Sequence, residues 1–276
     1  MDKTTTIVKL KQIVETDSKL LHKNYVFDKK LENGSSSKIF LGRSLVDDKR
    51  VVIKRISILE EWKNELEILK MFKDSKKIIN FKDFIRGVRF IYIITDYYKD
   101  CDLFEHAILN VPYTENYTKK LILEMAKCVK DCHDKNIVHR DIKLENFLVV
   151  DIYKPKILLI DFGHAEKNST IELEKGRDRY GTSFFLCPEG YKYKYSKKSD
   201  IWSIGICTHF LLSDSFPFDD EDDEDEYDKN VLRHRLVINR NISPEASNFI
   251  KKCLAFNPSD RYSIEMLMSD PFLINT

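Results

Sequence analysis

The chain has 276 residues, of which 42% are apolar and 33% charged, and its formal net charge is +1. That length can bury a large core in one two-lobed unit or two small domains. The balanced charge lacks the electrostatic footprint of a general nucleic-acid or membrane binder, so neither partner is expected.

The first apolar residues, Ile7, Val8 and Leu10, are interrupted by Lys9, Lys11 and Gln12, which is not the pattern of a secretory leader. No apolar run approaches the ~18 residues of a membrane span. Six cysteines (101, 128, 132, 187, 207 and 253) form no CxxC pair and sit mostly in apolar surroundings. They read as reduced small hydrophobes, so the expectation is an intracellular, cytoplasmic protein. Cys128, Cys132 and His133 could be metal ligands, but both cysteines share a helical stripe with Met125 and Val129, which favours core packing.

In chain order, residues 1–24 carry Ile7, Leu10, Ile13, Val14, Leu20 and Leu21 at helical spacing, as in a short amphipathic helix. Residues 25–31 alternate as a strand, 33–37 (Asn-Gly-Ser-Ser-Ser) turn, and 38–41 return as a second strand. Residues 50–55 are a third strand, with Lys54 pointing out of its apolar run. The spacing of Trp62, Leu66 and Leu69 predicts a helix over 59–72. Residues 81–85 and 89–95 form a further strand pair. Beyond it the chain turns helical over 117–135 and over 201–212, the latter apolar on nearly every face as a central buried helix must be. Ser243-Pro244-Glu245 has the form of an N-cap followed by proline at the first helical position, opening a helix to Phe256.

The sequence is organised around residues 139–148, His-Arg-Asp-Ile-Lys-Leu-Glu-Asn-Phe-Leu. A carboxylate, an ammonium and an amide stand at Asp141, Lys143 and Asn146 in a polar loop flanked by apolar runs. Residues 157–160 then lead into Asp161-Phe162-Gly163. This delivers one group able to accept a hydroxyl proton, Asp141, and two oxygen ligands for Mg²⁺, Asn146 and Asp161.

H-R-D-x-K-x-x-N followed by D-F-G resembles the catalytic and metal loops of eukaryotic-type serine/threonine protein kinases. The resemblance covers residues 25–273. It implies an α+β, two-lobed fold: a small antiparallel β-sheet lobe with one main helix (25–95) and a larger, mostly helical lobe (96–273), behind an N-terminal helical extension (1–24). It implies ATP and Mg²⁺ as cofactors and a protein substrate carrying Ser or Thr. Lys54 would hold the α- and β-phosphates, and Glu65 would pair with it, with Glu67 as the alternative. Leu31, Gly34, Ile39, Val52, Thr95, Asp96, Tyr98, Asp102 and Leu148 would line the nucleotide site. Asp102 fits a helix cap equally well. Two departures stand out. The three-glycine loop aligns with Glu32, Gly34 and Ser37, and Val52 replaces the more usual alanine. The eroded glycine loop keeps a second reading open, a kinase-like scaffold with weak nucleotide binding; a small-molecule phosphotransferase is a third.

The same resemblance matches Gly181-Thr182 and Cys187-Pro188-Glu189 to a peptide-docking stretch, with Glu189 paired to Arg261 and Asp200 anchoring the catalytic loop's backbone. Arg140 would place an unpaired guanidinium beside the active site, and Asp178 falls where an activating phosphate is usual. Ser169, Thr170 and Tyr180 are alternative regulatory sites. The acidic run 219–226, with Glu145 and Asp102, could select basic residues in a substrate or form a solvated loop.

Overall fold

A computed structural model describes residues 23–33, 37–99, 102–151, 154–167, 170–172, 183–218 and 224–274. The predicted N-terminal helix, Gly34, Asp178 and residues 219–223 lie outside them. The chain divides into two compact units. The first is the chain to Ser75 with Ile79–Lys99, and the second is Lys76–Ile78 with the chain from Asp100. Residues 96–99 thus fall with the sheet.

The first unit is an antiparallel five-stranded sheet, β1 (Tyr25–Asn33), β2 (Ser37–Ser44), β3 (Arg50–Ser57), β4 (Phe81–Arg86) and β5 (Phe90–Asp96), in the order β1-β2-β3-β5-β4. The side-chain period of two sends Val51 and Ile53 to one face and Val52 and Lys54 to the other. On the first face Val51 and Ile53, both fully buried, cluster with Tyr25, Tyr92 and Ile94, edged by Phe27, Phe40, Ile85 and Phe90. Gly42 is required there: a Cβ would stand 2.6 Å from both the Ile53 side chain and the Val26 carbonyl.

On the Lys54 face lies α1 (Lys63–Met71), whose Leu66, Ile68 and Leu69 are buried. Trp62, just before it, stacks on Phe84 at 5.5 Å. The helix begins later than the predicted residue 59. Ser57 Oγ accepts the Leu59 N–H and its carbonyl accepts that of Glu60, a local turn that competes with helix and leaves Leu59 92% exposed.

The second unit contains α2 (Leu103–Ile108), α3 (Glu115–Asp134), the β6 (Phe147–Asp151) and β7 (Lys156–Leu159) hairpin, and the short pair β8 (Thr170–Glu172) and β9 (Lys194–Ser196). After these come α4 (Lys197–Ser213), α5 (Glu224–Leu232), α6 (Pro244–Cys253), α7 (Ile264–Met268) and α8 (Pro271–Ile274). Every residue of α4 from Ser199 to Leu212 is buried, as its all-round apolar sequence requires. It starts four residues before the predicted boundary because Ser196 and Ser199 form a capping box. Gly205 lets α6 approach: a Cβ would meet Cys253 Cβ at 2.8 Å.

Ser243 caps α6 with Pro244 in its first turn, as predicted, but the helix ends at Cys253, short of Phe256. The carbonyls of Ala255 and Phe256 instead accept N–H groups of Arg261 at 3.0 and 3.2 Å. Cys128, Cys132, Cys187, Cys207 and Cys253 are all free and buried, and burial pushes the Cys128 and Cys187 thiols up to about 12. They are core hydrophobes. The end of the predicted acidic loop is helical, residues 224–226 belonging to α5. No helix among the described residues is long and apolar enough to cross a membrane.

Candidate active site

In the first unit, Lys54 Nζ donates to Glu65 Oε1 at 2.7 Å, with side chains 17% and 5% exposed. Glu67, the alternative, is exposed. The strand register explains which other side chains accompany Lys54. Ile39 stands opposite Lys54, Leu41 opposite Val52, and Val52 opposite Thr95. Ile39, Val52, Lys54 and Thr95 therefore share one sheet face, and the first, second and last are half-buried. Leu31, near the end of β1, is 40% exposed.

Asp96 belongs to the opposite face, opposite Val51. Its carboxylate accepts Asn80 Nδ2 at 2.8 Å and stands 3.4 Å from Lys82 Nζ. Tyr98 is half-buried; burial, then the nearby Asp96, raises its phenol pKa.

In the second unit, the β6–β7 hairpin fixes Asn146 and Asp161. Phe147 pairs with Leu159, and the Ile160 N–H donates to the Asn146 carbonyl at 2.9 Å. Asn146 and Asp161 thus flank one end of the hairpin. Asn146 Nδ2 donates to the Asp141 carbonyl at 2.7 Å and to Asp141 Oδ2 at 2.9 Å. The same Oδ2 has Lys143 Nζ at 3.7 Å and His164 Nδ1 at 3.9 Å. Asp161 adopts a left-handed backbone (φ 55°), and its Oδ1 accepts the Gly163 N–H at 3.1 Å. Leu148 bridges Asp102. Asp102 caps α2, accepting the Glu105 N–H at 2.8 Å, so the capping role is the one its geometry displays.

The backbone of the loop that carries Asp141 is held by a residue of α4. The Asp200 carboxylate, 1% exposed within α4, accepts the N–H groups of His139 (3.0 Å) and Arg140 (2.9 Å) and pairs with His133 Nε2 at 2.9 Å. Burial alone would raise the Asp200 pKa. The His133 hydrogen bond and charge, with the loop amides, leave it below the usual carboxylate value. These bonds hold Arg140 at a left-handed φ of 66°, a conformation costly for a residue with a Cβ. His139 is fully buried; its Nε2 lies 3.2 Å from the Ile160 carbonyl and its ring meets Phe162 edge-on at 5.0 Å.

Arg140 corrects the sequence reading, which left its guanidinium unpaired. Its Nε donates to the His164 carbonyl, its Nη2 lies 3.8 Å from Glu166 Oε2, and it sits over the Tyr195 ring at 5.7 Å. Two backbone bonds of 2.9 Å between Val138 and Glu166 bring that carboxylate to the loop. Glu189 and Arg261 form the expected pair, with two hydrogen bonds of 2.8 and 3.1 Å.

Asn146 and Asp161 offer hard oxygen donors, and the Asn146 amide nitrogen is committed to Asp141, which leaves its carbonyl oxygen as the remaining acceptor. Among the described residues no group of three or more His, Cys, Asp or Glu side chains could hold a metal ion. A two-ligand set fits Mg²⁺, which commonly takes one or two protein ligands and completes its shell with phosphate oxygens and water.

The second unit thus holds a carboxylate fixed through one oxygen, an adjacent lysine and two hard-oxygen donors, and the first unit holds a buried Lys–Glu pair. The chain matches the protein kinase domain over residues 25–273 and belongs to that family. It is 30% identical over 265 residues to calcium-dependent protein kinase 5 of Plasmodium berghei (strain Anka), covering 92% of this chain and 46% of that protein. It is also 30% identical over 220 residues to calcium-dependent protein kinase 5 of Plasmodium falciparum (isolate 3D7), covering 78% of this chain and 38% of that protein. The chain thus spans less than half the length of these relatives. The five-stranded sheet followed by a helical region is the two-lobed kinase architecture.

The sequence reading missed Glu166, His164 and the His133–Asp200 contact as parts of the site. No local motif marks them, because each reaches the catalytic loop through chain pairings distant in sequence.

Proposed function

We propose that the chain is a protein kinase that transfers the γ-phosphate of ATP to Ser or Thr hydroxyls of protein substrates. The observation that carries this reading is the Asp141 carboxylate, whose Oδ2 is pinned by Asn146 at 2.9 Å beside Lys143. A carboxylate with one oxygen so held is oriented to take the proton of a substrate hydroxyl with the other and to aim the nucleophilic oxygen. Lys143 supplies positive charge to the transferred γ-phosphate. Lys54, steered by Glu65, orients the α- and β-phosphates. Bound at Asn146 and Asp161, Mg²⁺ would spread the negative charge that builds up during transfer.

A preference for basic substrate side chains is part of the proposal. Glu145 Oε2 is buried with no hydrogen-bond partner among the described residues, and burial raises the pKa of its carboxyl. An arginine or lysine from a substrate would satisfy it. Peptides differing only in Arg or Lys near the acceptor Ser, tested on wild type and Glu145→Gln, address this directly. Equal rates for all peptides on the wild type would remove the preference.

The alternative, a kinase-like scaffold with feeble nucleotide binding, draws on Glu32 and Ser37 standing where glycines are usual. The two readings separate in one assay of Mg²⁺-dependent ATP turnover onto a basic protein. Turnover abolished by Asp161→Asn supports the enzyme. No turnover together with no nucleotide binding in magnesium buffer supports the scaffold.

A further inference from the structure

The sheet face turned away from Lys54 and α1 carries a cationic cluster that no carboxylate among the described residues compensates. Strand register places Lys30 opposite Phe40, Phe40 opposite Ile53, Lys38 opposite Arg55, and Arg55 opposite Tyr92. All of these side chains issue from that face. Lys38 and Arg55 are thus like charges directly across a strand pair, an arrangement that destabilises a sheet.

Neither Lys30, Lys38 nor Arg55 has a carboxylate partner among the described residues. The carboxylates that the register puts on the same face are engaged elsewhere. Asp83 accepts the Tyr25 hydroxyl at 3.1 Å, and Asp96 is held by Asn80 and Lys82. Arg55 is also fixed in place. Its guanidinium lies over Phe40 at 5.2 Å and over Phe90 at 4.6 Å, and Arg89 stacks on Phe90 at 5.5 Å. An arginine clamped by rings presents its N–H fork with little rotamer entropy left to lose.

We propose that this face, centred on Lys38 and Arg55 with Lys30 at its edge, docks an acidic, Asp/Glu-rich peptide segment of a partner protein. Carboxylates match the arginine fork in charge and in planar geometry, and they relieve the Lys38–Arg55 repulsion. A nucleic acid fits less well. The ring faces that would stack bases already carry Arg55, and the whole chain is only +1. A lipid surface fits less well too, because Phe40 and Phe90 are half-buried and offer no protruding anchor.

The test uses the full chain and a fluorescein-labelled poly-glutamate peptide read by anisotropy. Binding that weakens as salt is raised is expected, with Lys38→Glu combined with Arg55→Gln costing about tenfold in affinity. Lys30→Glu with Lys38→Glu, two exposed positions with no packing role, should show the same direction and guards against misfolding of the Arg55 variant. Lys251→Glu, an exposed charge on α6, should bind as wild type, and phosphorylation of a short peptide should be unchanged in all variants. No binding by the wild type, or binding indifferent to both double variants, overturns the proposal. Tighter binding of single-stranded DNA or of phosphatidylserine vesicles than of the peptide overturns it as well.

Discussion

Arg261 and Glu189 face each other fork to fork, Nη1 to Oε1 at 2.8 Å and Nη2 to Oε2 at 3.1 Å, with the arginine side chain wholly out of solvent. The same guanidinium also ties down the carbonyls of Lys198, Ala255 and Phe256 and lies over the Trp202 ring at 5.0 Å. Removing one partner strands a buried charge. Arg261→Met is expected to lower unfolding free energy by about 3–5 kcal/mol, measured by urea denaturation. A loss near the size of an exposed ion pair would mean that the pair is solvated in solution.

On the proposed function the Lys54–Glu65 pair acts as a positioning device, and its two halves should fail differently. Glu65→Gln keeps the size of the side chain and a weaker contact while removing the charge that steers Lys54. A fall in kcat/KM of about 10²-fold is expected. Lys54→Met should be at least as severe. Steady-state kinetics on one peptide substrate provide the comparison, and wild-type rates for Glu65→Gln would remove the pair from the mechanism.

His209 gives the fold a defined acid sensitivity. It lies buried in α4 with Nδ1 2.8 Å from the Ser215 carbonyl, while Nε2 accepts the Asn239 N–H at 3.2 Å. That arrangement requires a neutral ring, and burial holds its pKa below the ordinary 6.5. The unfolded chain therefore takes up this proton more readily than the folded one. The contribution is complete above pH 6.5 and is lost as pH falls through the lower folded-state value. Thermal melts across this range should show stability dropping on acidification, with the drop shallower in His209→Asn. An identical slope in the variant would assign the sensitivity elsewhere.

Gly205 marks the closest approach of α4 and α6. A methyl group there would stand 2.8 Å from Cys253 Cβ and 2.9 Å from Leu254 Cδ2. Gly205→Ala gains helix propensity but forces two buried elements apart, so a net destabilisation of about 1–3 kcal/mol is expected. Combining it with Leu254→Ala should recover part of the loss, which a double-mutant cycle would register.

Much of this was legible in the sequence for reasons specific to each element. The alternation of residues 50–55 required a strand with Lys54 on one face, and the unbroken apolar character of 201–212 required a buried helix. Asp141, Lys143 and Asn146 were readable because they lie within a few positions of one another and the hairpin closes locally. Other features were not. The start of α1 was misplaced because Ser57 captures the Leu59 and Glu60 amides, a local competition that periodicity does not register. Arg140 was read as unpaired because Glu166 reaches it through a backbone pairing with Val138 that no spacing announces. Asp200 was expected to hold the loop, but its contact with His133 depends on how α3 and α4 pack.

Asp200 joins matters usually kept separate. The same carboxylate that stiffens the loop carrying Asp141 is sunk in the helix on which the second unit is assembled. Repacking around that helix is therefore expected to reach the backbone at His139 and Arg140, although neither residue lies on the helix itself.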